Sequence, residues 1–244
     1  MTKIIINGSK GNMGKAAVKA VTNESTLNLI AELDKDDNLE NTLKNNPADV
    51  TIDLTHPSCV FENVQIILKN NSHAVVGTTG LTQEQLTQCD NLAKKQNKSI
   101  IVCPNFAIGA ILMMRFATQA AKYFDRCEII EYHHDKKADA PSGTAIKTAE
   151  LISNSVPETN SIPLKEEELI KGARGARKNN IEIHSIRIPG IVANQDVMFG
   201  ASGQSMTIKH ETISRDAFMP GLILAVKAAT QKTGLIYGLE HLLD

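Results

Sequence analysis

The sequence predicts an α/β fold in two parts: an N-terminal domain built on a parallel sheet, then a C-terminal α+β domain with a mixed sheet. Three observations predict it. Short apolar runs alternate with helical patterns over the first hundred residues, as in parallel strands with helices on both faces. A glycine-rich loop, Gly8-x-x-Gly11-x-x-Gly14, stands between the first strand and the first helix. After residue 180, three runs of β-branched and alternating character follow one another, which suggests a second sheet.

The elements read in order as follows. Residues 3–7 are a short apolar run ended by Gly8, so a buried strand. Residues 13–21 have helical spacing. Leu27–Leu33 reads as a second strand and residues 50–54 as a third. Residues 61–69 are helical and His73–Val76 is strand-like. Thr82-Gln83-Glu84-Gln85 is a capping box that opens a helix to about Lys95. Residues 99–103 form another strand, closed by Pro104. Residues 109–124 are expected to form a long helix and Arg126–His133 a strand. Pro141-Ser142-Gly143 is a turn that starts a helix to about Asn154. Residues 155–180 hold Pro157, Pro163, Gly172 and Gly175 among many charges and read as a long loop. Strands at Ile181–Arg187, 196–200 and 205–210 follow, and residues 215–230 form a closing helix. The domains are placed at residues 1–105 and 106–214, with residues 215–244 as a C-terminal helical segment.

The glycine loop carries the first functional signal. Glycines at this spacing permit a tight turn, close approach of backbone to a pyrophosphate, and close helix–strand packing. The helix start adds amide donors and a positive partial charge. Asp34 lies 20 residues beyond Gly14, at the end of the second strand. That is where an acid accepts hydrogen bonds from an adenosine ribose. Glu32 is a rival, and Asp34 is preferred by position. The first domain is therefore read as Rossmann-like and dinucleotide-binding. Lys35 is either a cation for a 2′-phosphate or a solvated surface charge. Gly77-Thr78-Thr79-Gly80 and Pro104-Asn105-Phe106-Ala107 follow the fourth and fifth strands. Both are placed at strand carboxyl ends to meet the nicotinamide half of such a cofactor.

The densest polar segment runs from Glu131 to Ala145. It begins at a strand end and closes at a helix start. Adjacent strand residues His133 and His134 point to opposite faces, so they cannot share one role. Lys137 lies in the following turn, near enough to return beside one of them. A histidine beside such charges can deliver a proton near neutral pH. The helix start at Pro141-Ser142-Gly143-Thr144 offers free amides to a substrate carboxylate. Adjacent histidines lack the spacing of a helical zinc pair, so no metal site is expected.

Composition narrows the classes. The 244 residues hold 26 Lys and Arg against 27 Asp and Glu, a net charge of −1. That leaves no basic excess to track a nucleic-acid backbone. Trp is absent and aromatics are 4%, which disfavours a base-stacking surface. No apolar run approaches the ~20 residues of a membrane span, and the first residues lack a secretory apolar stretch. Cys59, Cys89, Cys103 and Cys127 form no C-x-x-C pair and read as core thiols in a reducing, cytoplasmic compartment.

The segment EYHHDKKADAPSGTA resembles the signature of the 4-hydroxy-tetrahydrodipicolinate (dihydrodipicolinate) reductase family of lysine and diaminopimelate biosynthesis. GSKGNMG at 8–14, VVGTTGL at 75–81, PNFAIG at 104–109, HSIR at 184–187 and HETISRDAF at 210–218 resemble further stretches of that family, in order along nearly the whole chain. The resemblance implies NADH or NADPH as cofactor, held by Gly8, Ser9, Lys10, Gly11, Asn12, Met13, Asp34 and Lys35. Gly77, Thr78, Thr79, Pro104, Asn105, Phe106 and Ala107 would line the nicotinamide. His133 would be the proton donor and Lys137 its cationic partner. His134, Gly143 and Thr144 would hold a small dicarboxylate substrate. It also implies a homotetramer, with the C-terminal helix packed back on the first domain.

Some positions depart from the family pattern. Asn12 stands where Arg is common, which removes a phosphate-reading cation. Ala176 replaces a common Glu, and Ala193-Asn194-Gln195 replaces a stretch that usually holds Gly, an acid and His. Lys171, Arg174, Arg177 and Lys178 form a basic run, read either as a solvated loop or as a lid for a dianion. The function expected is reduction of 4-hydroxy-tetrahydrodipicolinate. Two rivals remain at this point: another small dehydrogenase, such as one acting on aspartate, and a non-catalytic nucleotide sensor.

Overall fold

The computed structural model describes residues 1–156 and 167–243. Contacts group the chain into two compact units, Met1–Ile108 with Arg215–Asp244, and Gly109–Ser214.

In the first unit, six strands pair in parallel. They are β1 (Thr2–Asn7), β2 (Leu27–Leu33), β3 (Val50–Asp53), β4 (His73–Val76), β5 (Ser99–Val102) and, from the far end of the chain, β11 (Gly234–Tyr237). Their order is β11-β5-β4-β3-β1-β2. The central strands are buried on both faces, so they read as continuous apolar runs without alternation. Helices α1 (Asn12–Asn23), α2 (Leu39–Asn45), α3 (Val60–Lys69), α4 (Gln83–Lys95) and α7 (Met219–Ala229) cover the sheet. α3 packs against both α2 and α4, and α1 packs against α7. The Thr82–Gln85 capping box is present at the start of α4. Strand order reverses between β1 and β3. Open parallel sheets take their ligands at the strand carboxyl ends beside such a reversal.

The second unit holds α5 (Ile108–Ala120), β6 (Arg126–His133), α6 (Gly143–Ser155), β7 (Ala176–Lys178), β8 (Ile181–Arg187), β9 (Ala193–Ala201) and β10 (Gln204–Thr212). The sheet order is β10-β9-β6-β8-β7, with β6 and β8 parallel and the other pairs antiparallel. One face packs Ile129, Ile183, Val197 and Phe199 against Met113 and Ala117 of α5 and Ala145, Ala149 and Ile152 of α6. The opposite face presents Ile130, Tyr132, Ile186 and Met198 by strand alternation, and Ile186 and Met198 are exposed.

Three expectations are corrected, and two elements are additions. The loop expected at 155–180 carries the short strand β7, whose side chains are all exposed and so show no burial pattern; residues 157–166 of that loop lie outside the described residues. The long helix expected at 109–124 ends at Ala120 and finishes in a 3-10 turn, Ala121–Tyr123. The closing helix begins as a 3-10 turn at Arg215–Phe218, with Pro220 in the first turn of α7. Helix α2 and strand β11 were not anticipated. Among the described residues no helix is long and apolar enough to cross a membrane.

Candidate active site

The first unit builds a loop surface at the carboxyl ends of its strands. Gly8 has φ +87, and a Cβ there would lie 2.3 Å from the Leu54 carbonyl oxygen. At Gly14 a Cβ would lie 2.0 Å from the Gly8 carbonyl oxygen. Both positions therefore demand glycine, whereas Gly11 would meet only ordinary contacts. The Gly8 and Ser9 amides donate to the Leu33 carbonyl at 2.8 and 2.9 Å, which fixes the loop to the end of β2. Gly11 is the N-cap of α1 and, having no side chain, places no acceptor of its own on the first-turn amides.

Asp34 stands just past β2. Its Oδ1 accepts from the Lys35 amide at 2.7 Å and its Oδ2 from the Lys10 amide at 3.0 Å. The Lys35 hydrogen bond, joined by that of Lys10, holds the Asp34 carboxyl below the usual carboxylate range. Each oxygen keeps a lone pair for a ribose hydroxyl. Lys10 and Lys35 are exposed beside it.

The loops after β4 and β5 come together. A Cβ at Gly77 would lie 2.8 Å from the ring of Phe106, so that glycine makes room for a buried aromatic. Phe106 and Ala107 are buried, Pro104 is exposed, and Asn105 Oδ1 accepts from the Ala107 amide at 2.8 Å. Thr78 is buried while Thr79 is exposed. A small cavity here is lined by Thr78, Thr79, Pro104 and Tyr237. Tyr237 enters through β11, which only the tertiary fold reveals.

In the second unit the buried residue Glu131 organises the polar segment. Its Oε2 receives His133 Nδ1 at 2.5 Å and Arg187 Nη1 at 2.9 Å. Its Oε1 receives Arg187 Nη2 at 2.8 Å and the Ser142 amide at 3.2 Å. Burial pushes the Glu131 carboxyl up, but the His133 and Arg187 hydrogen bonds prevail and hold it at about 2. A carboxylate on Nδ1 keeps a proton there and leaves Nε2 as the ring nitrogen that Glu131 does not engage. Arg187 also donates to the Asp139 carbonyl at 2.7 Å and so ties down the turn after His133.

Lys137 Nζ pairs with both carboxylate oxygens of Asp139 at 2.7 Å. Asp139 is 67% exposed, so this pair is worth at most about 1 kcal/mol and a dianion can replace it. His134 is partly buried just beyond β6, and its carbonyl accepts from the Lys137 amide. Ser142 Oγ caps α6 by accepting from the Ala145 amide at 3.2 Å. The amides of Gly143 and Thr144 thus open the helix, and a Cβ at Gly143 would meet nothing within 4 Å. The second unit therefore gathers His133, Lys137, Gly143 and Thr144 around one turn. The first gathers Gly8 to Met13, Asp34, Gly77 to Thr79 and Pro104 to Ala107 at its strand ends.

Sequence reasoning did not single out Glu131 or Arg187. Glu131 was findable, because residues two apart on a strand share a face. Arg187 was not, because it reaches Glu131 through the pairing of β6 with β8, which sets Arg187 beside His133. Of the basic run, Arg174 pairs with Glu128, Arg177 with Glu182 and Lys178 with Glu150.

The fit to a dinucleotide rests on the Gly8–Gly14 crossing, where a side chain has no room, and on the uncapped start of α1. Fold and loops define a protein of the dinucleotide-binding class. Comparison with known proteins makes the assignment specific. Residues 2–106 match the model described as dihydrodipicolinate reductase, N-terminus, and residues 109–243 the one described as its C-terminus. The chain is 47% identical over 252 residues to the 4-hydroxy-tetrahydrodipicolinate reductase of Streptococcus sanguinis, covering 99% of both. It is 44% identical over 243 residues to that of Legionella pneumophila, again covering 99% of both. A solved dipicolinate-bound dihydrodipicolinate reductase from Paenisporosarcina sp. TG-14 superposes with a TM-score of 0.90 at 41% identity, covering 100% of each chain. The chain belongs to the dihydrodipicolinate reductase family.

Proposed function

We propose that the protein reduces 4-hydroxy-tetrahydrodipicolinate to tetrahydrodipicolinate, with loss of water, in lysine and diaminopimelate biosynthesis. The observation that carries this reading is the Glu131–His133–Arg187 cluster beside the open start of α6, in a chain matched end to end by named reductases. When bound, the nicotinamide supplies hydride to the conjugated imine that remains after water is lost. The reduced ring becomes electron-rich and takes a proton. His133 gives that proton from Nε2 when its ring carries one on each nitrogen, and it keeps Nδ1–H on Glu131 as it returns to the neutral form. Lys137 exchanges Asp139 for one substrate carboxylate, and the Gly143 and Thr144 amides donate to the same anionic group at the helix start. His134 adds a contact to the dicarboxylate.

Asp34 and Lys35 together favour use of both NADH and NADPH. A preference above about 100-fold needs nearly 3 kcal/mol from phosphate contacts. The two exposed lysines beside Asp34, Lys10 and Lys35, without an arginine at position 12, do not supply that, at no more than about 1 kcal/mol each. The enzyme is placed in the cytoplasm, in keeping with its four free thiols. A homotetramer is assembled through the open face of the second sheet, supported by exposed Ile186 and Met198. Light scattering at micromolar concentration tests this, and a monomer would refute it.

The direct experiment is steady-state turnover of 4-hydroxy-tetrahydrodipicolinate with each nucleotide. Turnover with both at kcat/KM values within 100-fold is expected. Absence of turnover with either would refute the function, and a larger NADPH preference would refute dual use.

A further inference from the structure

Asp53 ends β3 at the point where strand order reverses, and it is fully buried. Its carboxylate accepts five hydrogen bonds, all from neutral donors. Oδ2 accepts from Asn7 Nδ2 at 3.1 Å and Asn63 Nδ2 at 2.9 Å. Oδ1 accepts from Thr55 Oγ1 at 2.8 Å, the Thr55 amide at 3.3 Å and Thr78 Oγ1 at 2.7 Å. Five donors aimed at one group suit an ionised carboxylate, since a protonated one would have to turn a donor of its own on them. Burying a carboxylate is costly, and a packed apolar side chain would stabilise the sheet as well. The charge therefore calls for a reason beyond stability.

The positions of the donors supply that reason. Asn7 immediately precedes Gly8 of the glycine loop. Thr78 belongs to the Gly77-Thr78-Thr79-Gly80 loop. Asn63 lies on α3, and it also donates to Thr55 Oγ1 at 3.2 Å. Thr78 Oγ1 spends its one proton on Asp53 and accepts from the Thr55 amide at 2.8 Å. That hydroxyl is thus not a donor for a ligand; it fastens its loop, while exposed Thr79 faces outward. One buried anion ties together the loops assigned to the phosphate and nicotinamide halves of the cofactor.

We propose that Asp53 is a positioning residue that holds these two loops in register, so that the dinucleotide meets a preformed surface. The proposal rests on these loops binding the pyridine nucleotide. Preorganised loops lower the ordering cost of binding, so loss of the tie appears in cofactor affinity rather than in proton transfer.

The test is fluorescence titration of NADH and NADPH against wild type, Asp53→Asn, Thr78→Val and Thr78→Ser, with melting temperatures and steady-state constants for each. Wild type is expected to bind. Asp53→Asn and Thr78→Val are expected to raise Kd and cofactor KM by about 10-fold or more, with substrate KM within about threefold. Thr78→Ser keeps the hydroxyl and is expected to restore Kd to near wild type. If Asp53→Asn does not fold, Asn63→Leu decides: Asn63 donates to Asp53 from α3, outside the cofactor loops, and its loss is expected to raise cofactor Kd in the same way, an unchanged Kd overturning the proposal. Unchanged cofactor Kd in Asp53→Asn and Thr78→Val, even with lowered melting temperatures, overturns the proposal, as does a Thr78→Ser variant as weak as Thr78→Val. Failure of wild type to bind either nucleotide overturns the assignment of the loops themselves.

Discussion

Glu131→Gln is the most informative single change in the second unit. The side chain is nearly isosteric, yet it turns one acceptor oxygen into a donor amide. Glu131 receives His133, both Arg187 nitrogens and the Ser142 amide. With the new amide on the Oε2 side, His133 must accept at Nδ1 and adopt the other tautomer, and Arg187 Nη1 faces a donor. With the amide on the Oε1 side, Arg187 Nη2 and the Ser142 amide lose their acceptor. Breaking a buried pair from one side costs about 3–5 kcal/mol. Arg187 keeps the Ile186 and Asp139 carbonyls, so the low end applies. At about 2–4 °C per kcal/mol for a chain of this size, the melting temperature falls by about 6–12 °C. A mispositioned general acid lowers kcat by about 10²-fold, and cofactor Kd stays unchanged. Steady-state kinetics at 25 °C on protein shown to be folded by circular dichroism measure both. A variant with the expected loss of melting temperature but kcat within threefold of wild type would refute the reasoning and leave Glu131 a purely structural residue.

On the proposed roles, Lys137→Ala removes a charge that acts on bound dianion and transition state alike. Substrate KM is expected to rise by about 10-fold or more, the worth of a charged hydrogen bond, and kcat to fall with it, as initial-rate measurements over substrate concentration will show. His73 makes stability depend on pH. Burial, aided by Lys98, holds its imidazole down at about 4, and its Nδ1 accepts the Ser99 amide at 3.0 Å, which only the neutral ring can do. The unfolded chain therefore binds the extra proton first. Stability is full above pH 6.5 and declines by up to about 3 kcal/mol as pH falls toward 4. Urea unfolding at a series of pH values checks this, since His73→Gln is expected to lose that part of the dependence.

The parallel sheet was legible because its strands are buried on both faces and punctuated by glycine, proline or a capping box. Leu27–Leu33, His73–Val76, Arg126–His133 and Ile181–Arg187 keep the bounds read from the sequence. Helix α2 was not legible: it buries only Leu39 and Leu43 among polar residues, and the Asn38 side chain that caps it looks like any turn asparagine. Strand β11 is four residues long, and its identity comes from pairing with β5, a partner more than a hundred residues away. The same distinction holds at the site. The Gly8–Gly14 loop, Asp34 and the His133 segment are local patterns, so spacing exposes them. Arg187 and Asp53 act through register and through loops that converge from separate strands. No local pattern encodes either one.

On the proposed mechanism, His133, held through Nδ1 by Glu131, gives the proton that completes the reduction. The most direct test is kcat of His133→Gln with saturating cofactor and substrate, on protein matched to wild type in melting temperature. A fall of about 10²–10⁴-fold is expected, with cofactor Kd unchanged. A variant that keeps more than about a third of wild-type kcat would contradict it, because loss of a positioned general acid costs far more.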